Sequence, residues 1–209
     1  MTKTIKNRRT LVPFAFVAAA AWLSLGAAPS EAQTLSGNAL IDALQNGGYV
    51  IVMRHASAET EAPQPRQASP GNVMREPELD DMGKATIEAM GYAFRKFRIP
   101  VADVYTSPNW AAYETAHFFG FGESHKMEEL GTKNPSADWL RMRVRQMPPE
   151  GENDVVVTQA ENLEAAFGRE AADVAPGEAL IFQPIDGGAK IIARMPIKDW
   201  AKLAVLGHT

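Results

Sequence analysis

The chain contains no cysteine among its 209 residues. This excludes disulfides, thiolate metal sites, a cysteine nucleophile and a lipid-modified cysteine at a signal junction. Stability must come from the core, which the roughly 175 residues left after a leader can supply without staples. Basic clusters are missing too. Removing residues 1–32 takes 4 of the 21 Lys and Arg and 1 of the 25 Asp and Glu, leaving 17 against 24 and a net charge near −7. Such an acidic body argues against a nucleic-acid partner, whose phosphates would repel it. No His, Asp or Glu group has ligand spacing such as His-x-x-x-His, so no metal site is expected.

The leader is legible in the order of its parts. Lys3, Lys6, Arg8 and Arg9 form a basic start, Leu11 to Ala28 is Ala-rich and almost uncharged, and Ser30-Glu31-Ala32 offers a small-x-small cleavage site before Gln33. This predicts an export signal over 1–32, no membrane anchor after its cleavage, and a periplasmic or secreted protein. A retained anchor is the competing reading, since an apolar run of about 18 residues is near the lower limit for spanning a bilayer. Arg8-Arg9 also fits a loose twin-arginine pattern. Residues 33–209 are expected to form a single domain, with the 45% hydrophobic and 22% charged composition of an ordinary globular chain.

Periodicity in the mature part alternates between two kinds. Ser36 to Gln45 reads as a short amphipathic helix, and Tyr49 to Met53 as a strand covered on both faces. Residues 57–78, rich in proline, glycine and charge, read as one long functional loop. A helix from Asp80 or Asp81 halts at Pro100, and a strand follows over Val101 to Thr106. Helices over Ala111 to Phe119 and Asp138 to Met147, a strand over Asp154 to Thr158 and a helix over Ala160 to Gly168 come next. Glu178 to Pro184 and Ala189 to Met195 pair as a hairpin, and Pro196, at the first helical position, opens a last helix ending at Leu206. The alternation implies a three-layer α/β sandwich, a mainly parallel sheet flanked by helices. Ligands of such sheets sit outside the carboxyl ends of the strands, which here are Arg54-His55, Thr106-Ser107 and Thr158-Gln159.

Three stretches at those ends carry a resemblance: V-M-R-H-A at 52–56, S-P-N-W-A-A-Y-E-T-A at 107–116 and V-V-V-T-Q-A-E-N-L at 155–163. In order and placement they resemble the histidine phosphatase superfamily, of phosphoglycerate mutase-like fold, and especially its small exported bacterial members. Leu79-x-x-x-Gly83 and Ile99-Pro100 resemble the family's helix-opening and helix-ending segments. The resemblance implies that His55 attacks a phosphoester and carries the phosphoryl group, that Arg54 clamps phosphate oxygens, and that no metal or organic cofactor is needed. A neutral imidazole and an arginine fork suit those roles chemically. Ser107, Thr158 and Gln159 fall at substrate-binding positions. The family's acid for the leaving oxygen maps to Glu128 or Glu129, with Glu161 as a third candidate.

The pattern also departs from the family. Ala56 replaces the glycine after the histidine, Ala111 stands where a second phosphate-binding arginine is expected, and Gln159 occupies the position of the pocket's second histidine. One charge-assisted contact is worth about 1.5 to 3 kcal/mol, and losing one donor to a developing anion commonly lowers turnover about a hundredfold to a thousandfold. Arg66 and Arg75, in the loop after His55, are candidates to replace the missing guanidinium. His117 is a candidate to face inward, whereas His125 and His208 read as surface residues. Two readings stay open, beside a blander third in which a structural envelope protein keeps the pocket residues as relics and binds no phosphate. One is an exported phosphomonoesterase of impaired activity, acting on a phosphorylated small molecule or surface phosphate ester. The other is an inactive family member that binds a phosphorylated ligand or an unidentified protein.

Overall fold

The computed structural model describes residues 34–131 and 137–206; the expected export signal and His208 lie outside them. Among the described residues no helix is long and apolar enough to cross a membrane. The first three elements are helix α1 (Gly37–Asn46), strand β1 (Val50–Arg54) and helix α2 (Asp81–Phe97). Strand β2 (Val101–Thr106), helix α3 (Trp110–Phe119) and the two-residue strand β3 (His125–Lys126) follow. Then come α4 (Ala137–Arg143), β4 (Asn153–Thr158), α5 (Ala160–Phe167), β5 (Ala179–Ile185), β6 (Gly188–Met195) and α6 (Ile197–Leu206).

The six strands form one sheet in the order β3-β2-β4-β1-β5-β6. Strands β1 to β4 pair in parallel, and β5 runs antiparallel to β1 and to β6. The sheet is thus mainly parallel, with a hairpin at one edge. Alternate residues of each strand point to opposite faces, and both faces are apolar. Ile51, Met53, Val155 and Val157 pack under α1, α2, α3 and α6, with Phe94, Phe119 and Trp200 at the centre of that layer. Val50, Val52, Val156 and Leu180 pack under α4 and α5 through Leu140 and Leu163. This is the three-layer sandwich expected.

Three local details differ from expectation. Helix α4 stops at Arg143 rather than Met147, because Arg145 and Gln146 donate to the carbonyls of Met142 and Arg143 (3.1 and 3.0 Å) in tight turns. This turns the Arg143 side chain to the Asp154 carboxylate on β4. Pro196 precedes α6 instead of opening it, and its carbonyl accepts the Asp199 N–H at 2.9 Å as a cap acceptor. Strand β3 is too short for any period-2 signal; only its pairing with β2 makes it a strand.

Gly83 matters for the site. A Cβ there would lie 2.0 Å from the Ser57 carbonyl oxygen, so only glycine lets the start of α2 sit on the chain just after His55. Asp80 caps the same helix, accepting from the Gly83 N–H at 2.6 Å while its other oxygen accepts from the Ser57 hydroxyl.

Candidate active site

Parallel pairing levels the three strand ends. Arg54 lies beside Thr158 and Thr106 beside Val157 in register. Just beyond, the His55 N–H donates to the Thr158 carbonyl (2.9 Å) and the Ser107 N–H to the Val157 carbonyl (3.0 Å). His55, Gln159 and Ser107 therefore leave the sheet side by side. A cleft of about 310 Å³ opens there, lined by Arg54, His55, Ala56, Glu59, Asn109 and Ala111, with Ser57, Ala58, Thr60, Pro77 and Pro176 completing its walls.

The His55 ring has a defined tautomer. Its Nδ1 lies 2.8 Å from the Ala56 carbonyl oxygen. An acceptor at that distance requires Nδ1 to carry the proton, which leaves the lone pair on Nε2. Burial, joined by the Arg54 charge, pushes the imidazole pKa below its ordinary value, against the raising effects of the Ala56 carbonyl and the Glu161 carboxylate. A neutral imidazole with an oriented lone pair is a nucleophile in its reactive form. Ala56 is held in turn, its N–H donating to the Thr115 hydroxyl at 3.0 Å while that hydroxyl donates to the Ala111 carbonyl at 2.7 Å.

Arg54 is anchored at one end. Its Nη1 donates to the Val174 carbonyl (3.1 Å), while its buried Nε has no partner. The segment beyond Val174 is fixed to the His55 backbone, because the Gly177 N–H donates to the His55 carbonyl at 2.9 Å. The Ser107 hydroxyl and the Gln159 Nε2 are likewise buried without partners. Orphaned buried donors are costly and uncommon in folded proteins. Here all three stand at the ends of adjacent parallel strands.

Gln159 is 6% exposed and its orientation is set by its oxygen. Oε1 accepts from the Thr158 hydroxyl (3.0 Å) and from Asn162 Nδ2 (2.9 Å), leaving the amide NH₂ as the free end. Asn162 also holds the Leu130 carbonyl at 2.8 Å. Ala111 lines the cleft, so its methyl group stands where a longer side chain would enter. The N-terminus of α3, capped by Asn109, borders the same space and favours negative charge.

The other candidates lie elsewhere. Glu128 and Glu129 are exposed in a 3₁₀ turn after β3 and do not line the cleft, and the exposed Glu161 does not either. Arg66 and Arg75 are exposed on the 57–78 loop, again outside the cleft lining. His117 is exposed and stacks on Tyr113, and His125 pairs with Asp103 at 3.1 Å on the sheet edge. Among the described residues no group of three His, Asp or Glu could hold a metal ion.

Sequence reasoning passed over Glu59, Asn109 and Pro176. The density of charge in 57–78 marked the region, but not that Glu59, itself exposed, borders the cleft. The loop is ordered by carboxylates. Glu78 accepts from Asn72 and twice from Ser69, and Glu76 accepts the Trp110 N–H at 2.6 Å. Burial raises the Glu78 carboxyl, but those hydrogen bonds outweigh it and hold its pKa below the usual value.

Fold and cleft together define a class: a three-layer α/β protein whose cleft lies beyond the carboxyl ends of its parallel strands. The fold is shared with solved histidine phosphatases and is phosphoglycerate mutase-like. A structure of the protein histidine phosphatase SixA complexed with tungstate superposes with a TM-score of 0.57 at 12% identity, covering 72% of this chain and 98% of that one. A protein of Agrobacterium tumefaciens assigned as the phosphohistidine phosphatase SixA gives 0.50 at 15% identity, with 72% and 98% covered. At these identities the likeness establishes fold. No protein-family model matches the sequence, and no curated protein does.

Proposed function

We propose that the protein is an exported phosphomonoesterase that works through a phosphohistidine at His55, with turnover reduced by Gln159 and Ala111. The observation that carries this reading is the His55 geometry. Nδ1 is committed to the Ala56 carbonyl, which leaves Nε2 free on a residue that lines a cleft shared with Arg54. Nε2 attacks phosphorus, the ester P–O bond breaks, and water later attacks the phosphohistidine to release phosphate. Arg54, whose Nε is unpartnered, lines that cleft and supplies a donor for the phosphoryl oxygens, whereas the unpartnered Ser107 hydroxyl and Gln159 amide lie buried at the neighbouring strand ends, outside the cleft lining. None of this chemistry requires a metal or organic cofactor. A protein histidine phosphatase of the same fold, SixA, is known complexed with tungstate, and that oxyanion supports a phosphate ester as the class of ligand.

The substrate class is a phosphorylated small molecule or surface phosphate ester met outside the cytoplasm. The basic start, apolar run and cleavage site of residues 1–32 support that location. A second reading, a binding module for a phosphorylated ligand, is favoured by Ala111, which leaves that wall of the cleft without a cation.

The test is hydrolysis of an aryl phosphate by signal-free protein beside His55→Ala. The expected result is slow turnover that His55→Ala abolishes, with an acid-labile, alkali-stable phosphoryl label trapped on the parent. A parent that binds inorganic phosphate saturably but takes up no label would favour the binding module.

A further inference from the structure

We infer that Glu59 is the proton donor to the leaving oxygen, an inference that rests on the phosphatase reading above. Expelling an alkoxide from a phosphoester requires a proton, and a positioned acid at the leaving group contributes roughly a hundredfold to ten-thousandfold. Among the residues lining the cleft, Glu59 is the one carboxylic acid.

Neighbouring carboxylates are committed to structure. Asp80 holds the Ser57 hydroxyl and the start of α2, Glu76 caps α3, and Glu114 accepts the Leu79 N–H at 2.6 Å. The Glu59 side chain, by contrast, has no hydrogen-bond or ion-pair partner among the described residues. Its backbone is nonetheless fixed. The Glu59 N–H donates to the Glu78 carbonyl at 2.8 Å, and Ala58 bridges Leu79 in antiparallel fashion. Glu59 is exposed at the border of the cleft, four residues beyond His55, on the open side from which a leaving group departs. The charged groups lining that cleft are Arg54, His55 and Glu59, with Glu161 acting on His55 from α5.

The step balances without a co-reactant. As the bond from Nε2 to phosphorus forms and the ester P–O bond breaks, the Glu59 carboxyl gives its proton to the departing oxygen. In the second step the resulting carboxylate takes a proton from the attacking water while the N–P bond breaks. Glu59 ends protonated and phosphate leaves.

The test compares kcat/KM for an alkyl phosphate and a dinitrophenyl phosphate in the parent, Glu59→Gln and Glu61→Gln, with His55→Ala as the blank. This constant reports only the steps up to departure of the leaving group, and a dinitrophenolate departs without a proton. Glu59→Gln is expected to lower the alkyl-to-aryl ratio roughly a hundredfold, whereas Glu61→Gln, outside the cleft lining, leaves it unchanged. A Glu59→Gln variant that loses both substrates equally, or neither, overturns the inference and leaves the phosphatase reading standing. A parent with no His55-dependent hydrolysis of either substrate overturns both.

Discussion

The Ala56 N–H donates to the Thr115 hydroxyl at 3.0 Å, tying the residue that orients the His55 ring to helix α3. Thr115→Val keeps the shape and removes the acceptor, leaving the Ala56 N–H buried and unpaired. The expected cost is about 1 to 3 kcal/mol in urea denaturation. His55-dependent hydrolysis should fall as well, because the Ala56 carbonyl is what fixes the imidazole. Thr115→Ser retains the acceptor and should recover most of both.

Burial, with help from Arg54, depresses the His55 pKa, so the imidazole stays neutral to a lower pH than an exposed histidine. In the window between the folded value and the ordinary one, the unfolded chain binds more protons than the folded chain. Stability contributed by this group is therefore full above the ordinary histidine value and is lost as pH falls through the folded one. NMR titration should place the His55 midpoint below the ordinary histidine value. His55→Asn should remove the corresponding slope from a stability-versus-pH curve.

Arg143 and Asp154 form an ion pair between α4 and β4, with side chains 9% and 0% exposed. Asp154 also accepts the Asp103 N–H at 3.3 Å. Arg143→Met strands a buried carboxylate and should cost about 3 to 5 kcal/mol. Adding Asp154→Leu should restore a large part of that loss, since the desolvation penalty leaves with the second charge. Equal losses in the single and double variants would count against the pair as the source.

Ala111→Arg combined with Gln159→His should raise aryl phosphate hydrolysis by about a hundredfold or more, less than the product of two independent gains because such groups act as a unit. Ala111 lines the cleft, so the arginine has space to enter. Gln159 is more demanding, because its oxygen is held by Thr158 and Asn162. Both single variants should therefore be assayed, with the larger gain expected from Ala111→Arg.

The sequence by itself determined the layers and the strand ends. The short apolar runs at β1 and β4 are strands buried on both faces, the helices between them carry 3.6-residue stripes, and this alternation commits the chain to a parallel sheet. It also placed Arg54, His55, Ser107 and Gln159 at strand ends, because local pattern is enough to locate where a strand stops. Tertiary structure alone decided which polar groups share a cleft. Glu59 lines it while Glu128, Glu129, Arg66 and Arg75 do not. These residues sit in loops and turns, where direction follows from irregular hydrogen bonds such as that of the Trp110 N–H to Glu76, 34 positions apart, and no local period encodes them. The tautomer of His55 belongs to the same class of fact. It depends on the carbonyl of Ala56, a residue whose N–H is held by a hydroxyl 59 positions further along the chain.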